Sequence, residues 1–217
     1  MPKLTLIIGN KNYSSWSLRP WLLLRHLNLA FEEQLIPLDL ADSPQRIRAA
    51  NPAGRVPALL HGELLVWDSI AIGEYLCELA GAGLPAERPR RAVARSVCAE
   101  MHSGFQALRT QWPMNARAQG RRTAMTDSLK RDIARIDEIW GQCRRDNAGR
   151  GPWLFGEFSL ADAMYAPVVL RFRTYGAEVS AVAQQYMASV LADAALQEWL
   201  AAAASEHWVL SASEVGA

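Results

Sequence analysis

Cysteine and histidine are scarce in this sequence. Cys77, Cys98 and Cys143 are the only cysteines in 217 residues, and they form neither a C-x-x-C pair nor a metal-binding spacing. An odd, small number of thiols in a chain of this size excludes a disulfide scaffold. It points to a reducing compartment with buried thiols. The four histidines, His26, His61, His102 and His207, are scattered, so no metal site is expected. No apolar run approaches the ~20 residues of a membrane span. Leu4–Ile8 is too short for the core of an export signal and is interrupted by Gly9-Asn10-Lys11-Asn12. The expectation is a cytoplasmic protein without a membrane partner. A formal net charge of +1, with only small basic clusters at Arg88–Arg91 and Arg121–Arg122, gives no reason to expect nucleic acid.

What is present is an ordinary globular composition, half hydrophobic, with length enough for one large domain or two small ones. There is no internal repeat and no low-complexity segment. Leu4–Ile8 reads as a buried strand ended by Gly9-Asn10, and Ser17–Leu27 as a leucine-rich helix. Pro20 suits only the first turn of a helix, which puts the start among Ser15 to Ser17. Phe31–Leu38 reads as a second strand, completing a βαβ unit for which right-handed parallel pairing is the default. Ser43-Pro44 opens a short helix to about Ala49. Ala58–Leu60 and Leu64–Trp67 flank a turn at Gly62 and predict a hairpin, and a further helix begins at Asp68.

Residues 1–80 therefore read β-α-β-α-β-β-α. Residues 81–89, rich in glycine and proline, read as a linker, and residues 90–217 as an all-helical domain. Val93, Val97, Met101, Phe105, Leu108 and Trp112 form one helical stripe, and Leu129, Ile133, Ile136, Trp140 and Cys143 a second. Ser159 and Asp162 have the spacing of a capping box opening a helix over Ala161–Tyr175. Val182–Leu200 reads as a final helix.

Four short motifs stand out: "SSWSLR" at Ser14–Arg19, "NPAGRVPAL" from Asn51, "DSIAIGEYL" from Asp68, and "FSLAD" from Phe158. Their order, on an α/β domain followed by a helical domain, resembles the cytosolic glutathione transferases from Leu4 to about Trp199. The first is similar to the serine-bearing "SSCSxR" of the zeta class. The others resemble the loop leading to a cis-proline, the acidic-Ser helix opening, and the capping segment of the second domain. The resemblance implies a thioredoxin-like first domain, an all-α second domain, a homodimer, and glutathione as co-substrate with no metal.

The residues themselves support that chemistry. The thiol of glutathione is mostly protonated at neutral pH, and the thiolate is the nucleophile. A serine hydroxyl donating to sulfur, with the free amides at a helix start, favours the charged form. Serines before a helix are ordinarily caps. The resemblance assigns the thiol to Ser14, with Ser15 as the alternative and Tyr13 as a third choice, and leaves Ser17 as a cap or helix residue. It implies a cis Val56-Pro57 bond that presents the Val56 backbone to the ligand like an added strand. Arg55 either reaches glutathione or is a solvated loop arginine.

Asp68 would accept from the α-ammonium group and Ser69 would bind the γ-glutamyl carboxylate, in a place where the pair also caps a helix. The second substrate is expected between the domains, near His102, Phe105, Arg109 and Trp112. Phe105 and Trp112 also fit the core stripe, and His102 and Arg109 could face an acidic substrate. Trp16 stands where the zeta class has a cysteine, which argues against maleylacetoacetate isomerisation. The absence of any cysteine near Ser14 argues against disulfide chemistry. The expected activity is transfer of the glutathione thiolate to a small electrophile. The alternatives are a non-catalytic module of the same fold and an isomerase of the maleylacetoacetate type.

Overall fold

Strand β1 (Leu4–Ile8) is buried on both faces because it lies inside the sheet: Leu4, Leu6 and Ile8 enter the main core, while Ile7 points to the other side. The computed structural model describes residues 2–216. β1 pairs in parallel with β2 (Phe31–Leu35) and antiparallel with β3 (Ala58–His61), which pairs antiparallel with β4 (Leu64–Trp67). The sheet order is β2-β1-β3-β4. β2 ends before the expected Leu38. Ile36 N still donates to Ile8 O, but Pro37 has no N–H to continue the ladder.

Helix α1 (Ser15–His26) crosses one face of this sheet and α2 (Ser43–Ala50) contributes Ile47 to a small cluster with Ile7, Ile36 and Ala58. Pro20 was expected in the first turn of α1 and lies in the second. Its missing N–H deprives the Trp16 carbonyl of an intrahelical donor, a loss that the burial of Leu18, Trp21, Leu22, Leu23 and Leu24 around it offsets. α3 (Ser69–Ala80) closes the first half. Its N-cap is Asp68, whose carboxylate accepts from Ile70 N, so capping falls to the acid rather than to Ser69.

The second half begins with α4 (Arg88–Ser103), inside the expected linker, because Pro89 fits a first helical turn. The stripe from Val93 to Trp112 is not one helix. It breaks at Gly104 and at Phe105, whose φ of 59° is left-handed, and resumes as α5 (Gln106–Gln111). Arg109 folds back across the break and donates to the carbonyls of Met101, His102 and Gly104, satisfying acceptors left open at the end of α4. Val93 is 49% exposed and lies off the core. α6 (Asp127–Asp146) follows the expected stripe. The last segment is also two helices, α8 (Ala181–Leu191) and α9 (Ala194–Ser205), because Asp193 accepts from Leu196 N and caps the second. All three cysteines are buried and unpaired, and burial pushes the Cys77 and Cys143 thiols up to about 12.

At the centre stands α7 (Leu160–Tyr175), buried along almost its whole length and packed on α1, α3, α4 and α8. Gly73 of α3 passes so close that a Cβ there would meet Leu160 Cδ1 at 2.4 Å. The capping box is present: Ser159 N and Oγ donate to Asp162 Oδ2 at 2.9 and 2.8 Å, and Leu154 N donates to Oδ1 at 3.0 Å. Burial raises the Asp162 carboxyl and these donors oppose the rise. Asp162→Ala strands two buried amides, and we expect it to lower the unfolding free energy by about 3 kcal/mol or more. Urea denaturation measures this; a loss below about 1 kcal/mol would mean that those amides find other partners.

Candidate functional site

The loop Gly9–Tyr13 delivers the chain from β1 to α1. Ser14 is the N-cap position of α1 by backbone geometry, yet its side chain does not cap. Its N–H donates to Asn10 O and its hydroxyl donates to Ser17 Oγ at 2.7 Å. Ser17, fully buried in the first turn, also accepts from Gly9 N at 3.1 Å. The two neighbours of Ser14 turn toward the helical half. Ser15 Oγ accepts from Arg171 Nη2 at 3.2 Å, and the Tyr13 hydroxyl donates to Glu214 Oε1 at 2.7 Å while accepting from Arg117. Arg171 is buried in α7 and is otherwise held by the carbonyls of Trp112 and Pro167. Burial, then the charge of Arg109, lowers it to about 9.

Beside this turn opens a cavity of about 810 Å³. Its wall includes Trp16, Arg55, Val56, Pro57, Asp68, Ser69 and His102. Asn51 shapes the loop side. It is buried, donates through Nδ2 to Arg55 O at 2.8 Å and accepts from Ala53 N, while Gly54 takes the left-handed φ of 68° that the turn requires. Val56-Pro57 is cis, and β3 begins only at Ala58, so Val56 is outside the sheet ladders. Arg55 is exposed.

On the opposite side, Asp68 adopts φ 73° and ψ 133°, a backbone state costly for a residue other than glycine. That turn places its carboxylate at the start of α3, 3.3 Å from His102 Nε2 of α4. Burial lowers the His102 pKa and Asp68 opposes the change. Ser69 is 2% exposed, with its Oγ accepting from Arg19 Nη1 at 3.3 Å.

The structure thus brings Arg55, Val56, Pro57, Asp68, Ser69 and His102 to one cavity. Ser14 and Ser15 lie next to it through Trp16 but are not in its wall. Phe105 and Trp112 are buried in the core, and Arg109 is outside the wall, with its guanidinium 4.6 Å from the centre of the Trp16 indole ring. Sequence reasoning gave no role to Arg19 or Arg171. Both are cations inside apolar helical runs, and that misplacement was the available signal. Among the described residues, no group of three or more His, Cys, Asp or Glu side chains is placed to hold a metal. None of their helices is long and apolar enough to cross a membrane.

The arrangement suits a peptide-like anion: a free backbone edge at Val56, the open start of α3 with a serine hydroxyl, and the start of α1 with another. Comparison with known proteins gives the family. Residues 13–79 match the family model described as Glutathione S-transferase, N-terminal domain, and residues 119–202 match Glutathione S-transferase, C-terminal domain. A curated relative, Glutathione S-transferase L2, chloroplastic, of Arabidopsis thaliana, is 29% identical over 161 residues, covering 71% of this chain and 49% of the relative. The chain therefore spans about half the length of that protein. Among solved structures, a glutathione transferase homologue from Burkholderia gl BGR1 with bound glutathione superposes with a TM-score of 0.69 at 23% identity, covering 94% of this chain and 100% of the other. A bacterial zeta-class maleyl pyruvate isomerase in its holo form gives 0.71 at 20% identity, covering 95% and 100%. With a four-stranded thioredoxin-like half, a helical half and both domain models matched in order, the chain belongs to the glutathione S-transferase family.

Proposed function

We propose that this protein is a glutathione transferase that binds glutathione along the Val56 edge and uses Ser14 to stabilise its thiolate. The observation that carries the reading is the convergence of Arg55–Pro57 and Asp68-Ser69, from distant parts of the sequence, on one cavity beside the start of α1. In this reading the cysteinyl backbone of glutathione pairs with Val56. The γ-glutamyl carboxylate takes the Ser69 hydroxyl and the first amides of α3, while Asp68 accepts from the α-ammonium. Arg55, exposed at the rim, faces the glycyl end.

Ser14 is preferred over its neighbours on hydrogen-bond grounds. Ser15 accepts from Arg171 and the Tyr13 hydroxyl proton goes to Glu214, so both side chains are engaged with the helical half. The partner of Ser14 is another hydroxyl, and hydroxyl rotors can reverse. If Ser17 donates to Ser14 while keeping the Gly9 amide as its own donor, the Ser14 proton is free for sulfur. The thiolate would then attack an electrophile lying between the two halves, near Trp16 and His102. A second reading, a module that binds glutathione without turnover, is favoured by the inward turn of the Ser14 hydroxyl toward Ser17. Calorimetric binding of glutathione without conjugation of any member of a broad electrophile panel would support it over catalysis.

Ser14→Ala is expected to lower turnover on the order of a hundredfold while leaving glutathione affinity nearly unchanged. Ultraviolet titration of bound glutathione should show the thiol pKa rising in the variant; an unchanged pKa and rate would transfer the role to Ser15 or Tyr13.

Ser69→Ala removes a hydrogen bond to a charged group, a loss of about 1.5–3 kcal/mol or roughly tenfold to over a hundredfold in glutathione affinity. The Asp68 cap stays, but the buried Arg19 guanidinium loses its hydrogen bond to Ser69 Oγ, so stability should fall as well. Intact affinity with clear destabilisation would make Ser69 structural only.

The family resemblance also leads us to expect a homodimer. Light scattering at micromolar concentration should return twice the chain mass, and a monomeric mass would count against it.

A further inference from the structure

Four of the ten buried side-chain polar atoms without a partner among the described residues belong to side chains packed on Trp16. They are Arg19 Nε and Nη2, Arg109 Nη1 and His102 Nδ1. The Arg19 guanidinium lies 4.2 Å from the centre of the indole ring, that of Arg109 4.6 Å, and the His102 ring meets the indole edge-on at 5.4 Å. Arg19 is 1% exposed, and the one hydrogen bond its side chain makes among the described residues runs from Nη1 to Ser69. Its two free nitrogens, Nε and Nη2, are the parallel donors on the side edge of the guanidinium, the edge that grips a carboxylate with two bonds. Arg109 is held by three carbonyls at the end of α4, so its free Nη1 is fixed in place.

The charge balance points the same way. The charges of Arg109 and Arg171 act on Arg19 and that of Arg109 on Arg171, while the carboxylates that act on Arg19 and Arg109 are Asp68 and Asp132. Asp68 is engaged by Ile70 N and His102, and Asp132 by Leu108 N. Positive charge is left over, on the buried Arg19 and Arg171 and the half-buried Arg109. Burial first, then the like charges around them, lowers Arg19 and Arg171. A buried guanidinium with an empty fork is unfavourable on its own and is relieved by an anion. Trp16 belongs to the cavity wall, and Arg19 and Arg109, both packed on its indole, do not.

We propose that Arg19 and Arg109 form a carboxylate subsite, opened when the Trp16 indole turns aside, and that it holds the acid group of the second substrate. The electrophiles this protein favours are then carboxylic acids. The assignment rests on the transferase reading above. It gives the subsite to the second substrate rather than to glutathione because the free edge of Arg19 is not the one directed at Ser69, and because Arg109 comes from the helical half.

The test uses the full chain and two ring-matched probes, 3,5-dinitrobenzoate and 1,3-dinitrobenzene, titrated by calorimetry with and without saturating glutathione. The wild type is expected to bind the benzoate roughly tenfold or more tightly than the neutral ring. Arg109→Gln and Arg19→Gln should each bring the two affinities within about threefold, Arg109→Gln with glutathione affinity unchanged. Arg19→Lys keeps the charge and loses the fork. It stands in if the neutral variant does not fold, and it should lose most of the preference. Equal affinities in the wild type, or a preference that survives both Arg109→Gln and Arg19→Lys, overturns the proposal. Variants that lose glutathione affinity and keep the benzoate would assign the fork to a carboxylate of glutathione, which also overturns it. A wild type that prefers the benzoate and does not bind glutathione supports the carboxylate subsite and removes the transferase reading instead.

Discussion

The burial of α1 is the constraint on which the rest of the structure depends. From Ser17 to Leu24 every side chain of this helix is buried, against β1 and α3 on one side and α7 and α9 on the other. Leu18, Leu22, Leu23 and Leu24 each contribute about 1.5–3 kcal/mol by leaving water. An effective penalty of several kcal/mol for a buried ion is smaller than their sum. The leucines can therefore carry Arg19 into the interior with them. The same helix begins at the serines, so the force that joins the two halves also sets where the proposed thiol site stands.

The loop that precedes α1 is shaped by parts of the chain far from it in sequence. Glu206, just past α9, accepts from Lys11 N at 2.6 Å and Asn12 N at 3.0 Å. Trp199 donates to Lys11 O, and Asn12 exchanges hydrogen bonds with Asn115, Ala116 and Arg117. Tyr13 is taken by Glu214 and Arg117. Few polar groups of this loop are left to water. The position of Ser14 is thus a product of the helical half and the terminal segment as much as of the strand and helix it connects.

The site has two kinds of surface in consequence. The loop at Asn51–Pro57 and the turn at Asp68-Ser69 are built locally, by an asparagine bridge and by a residue held at positive φ. Local chemistry of this kind is visible in a sequence, and the residues it positions were found there. Trp16, Arg19, Arg109 and Arg171 come from three helices of both halves and are brought together only where those helices pack. Arg109 and His102 could be placed near the second substrate from their helical spacing, but their relation to Trp16 could not.

The sequence by itself determined the element order of the first half, with its parallel βαβ start and hairpin, and the Asp162 capping box, because periodicity, turn residues and caps act over a few neighbouring positions, and its four motifs pointed to the family. It also placed Asp68 and Ser69 at a helix start for the same reason. Only the tertiary structure decided that the stripe from Val93 to Trp112 breaks at Phe105, where Arg109 supplies donors to the broken end. It decided that Pro20 can lie in a second turn, because packing outweighs one missing hydrogen bond. It also turned Ser15 and Tyr13 toward the helical half, since their partners, Arg171 and Glu214, lie 156 and 201 residues away along the chain. Contacts over such separations follow from which surfaces bury together, and no local pattern encodes them.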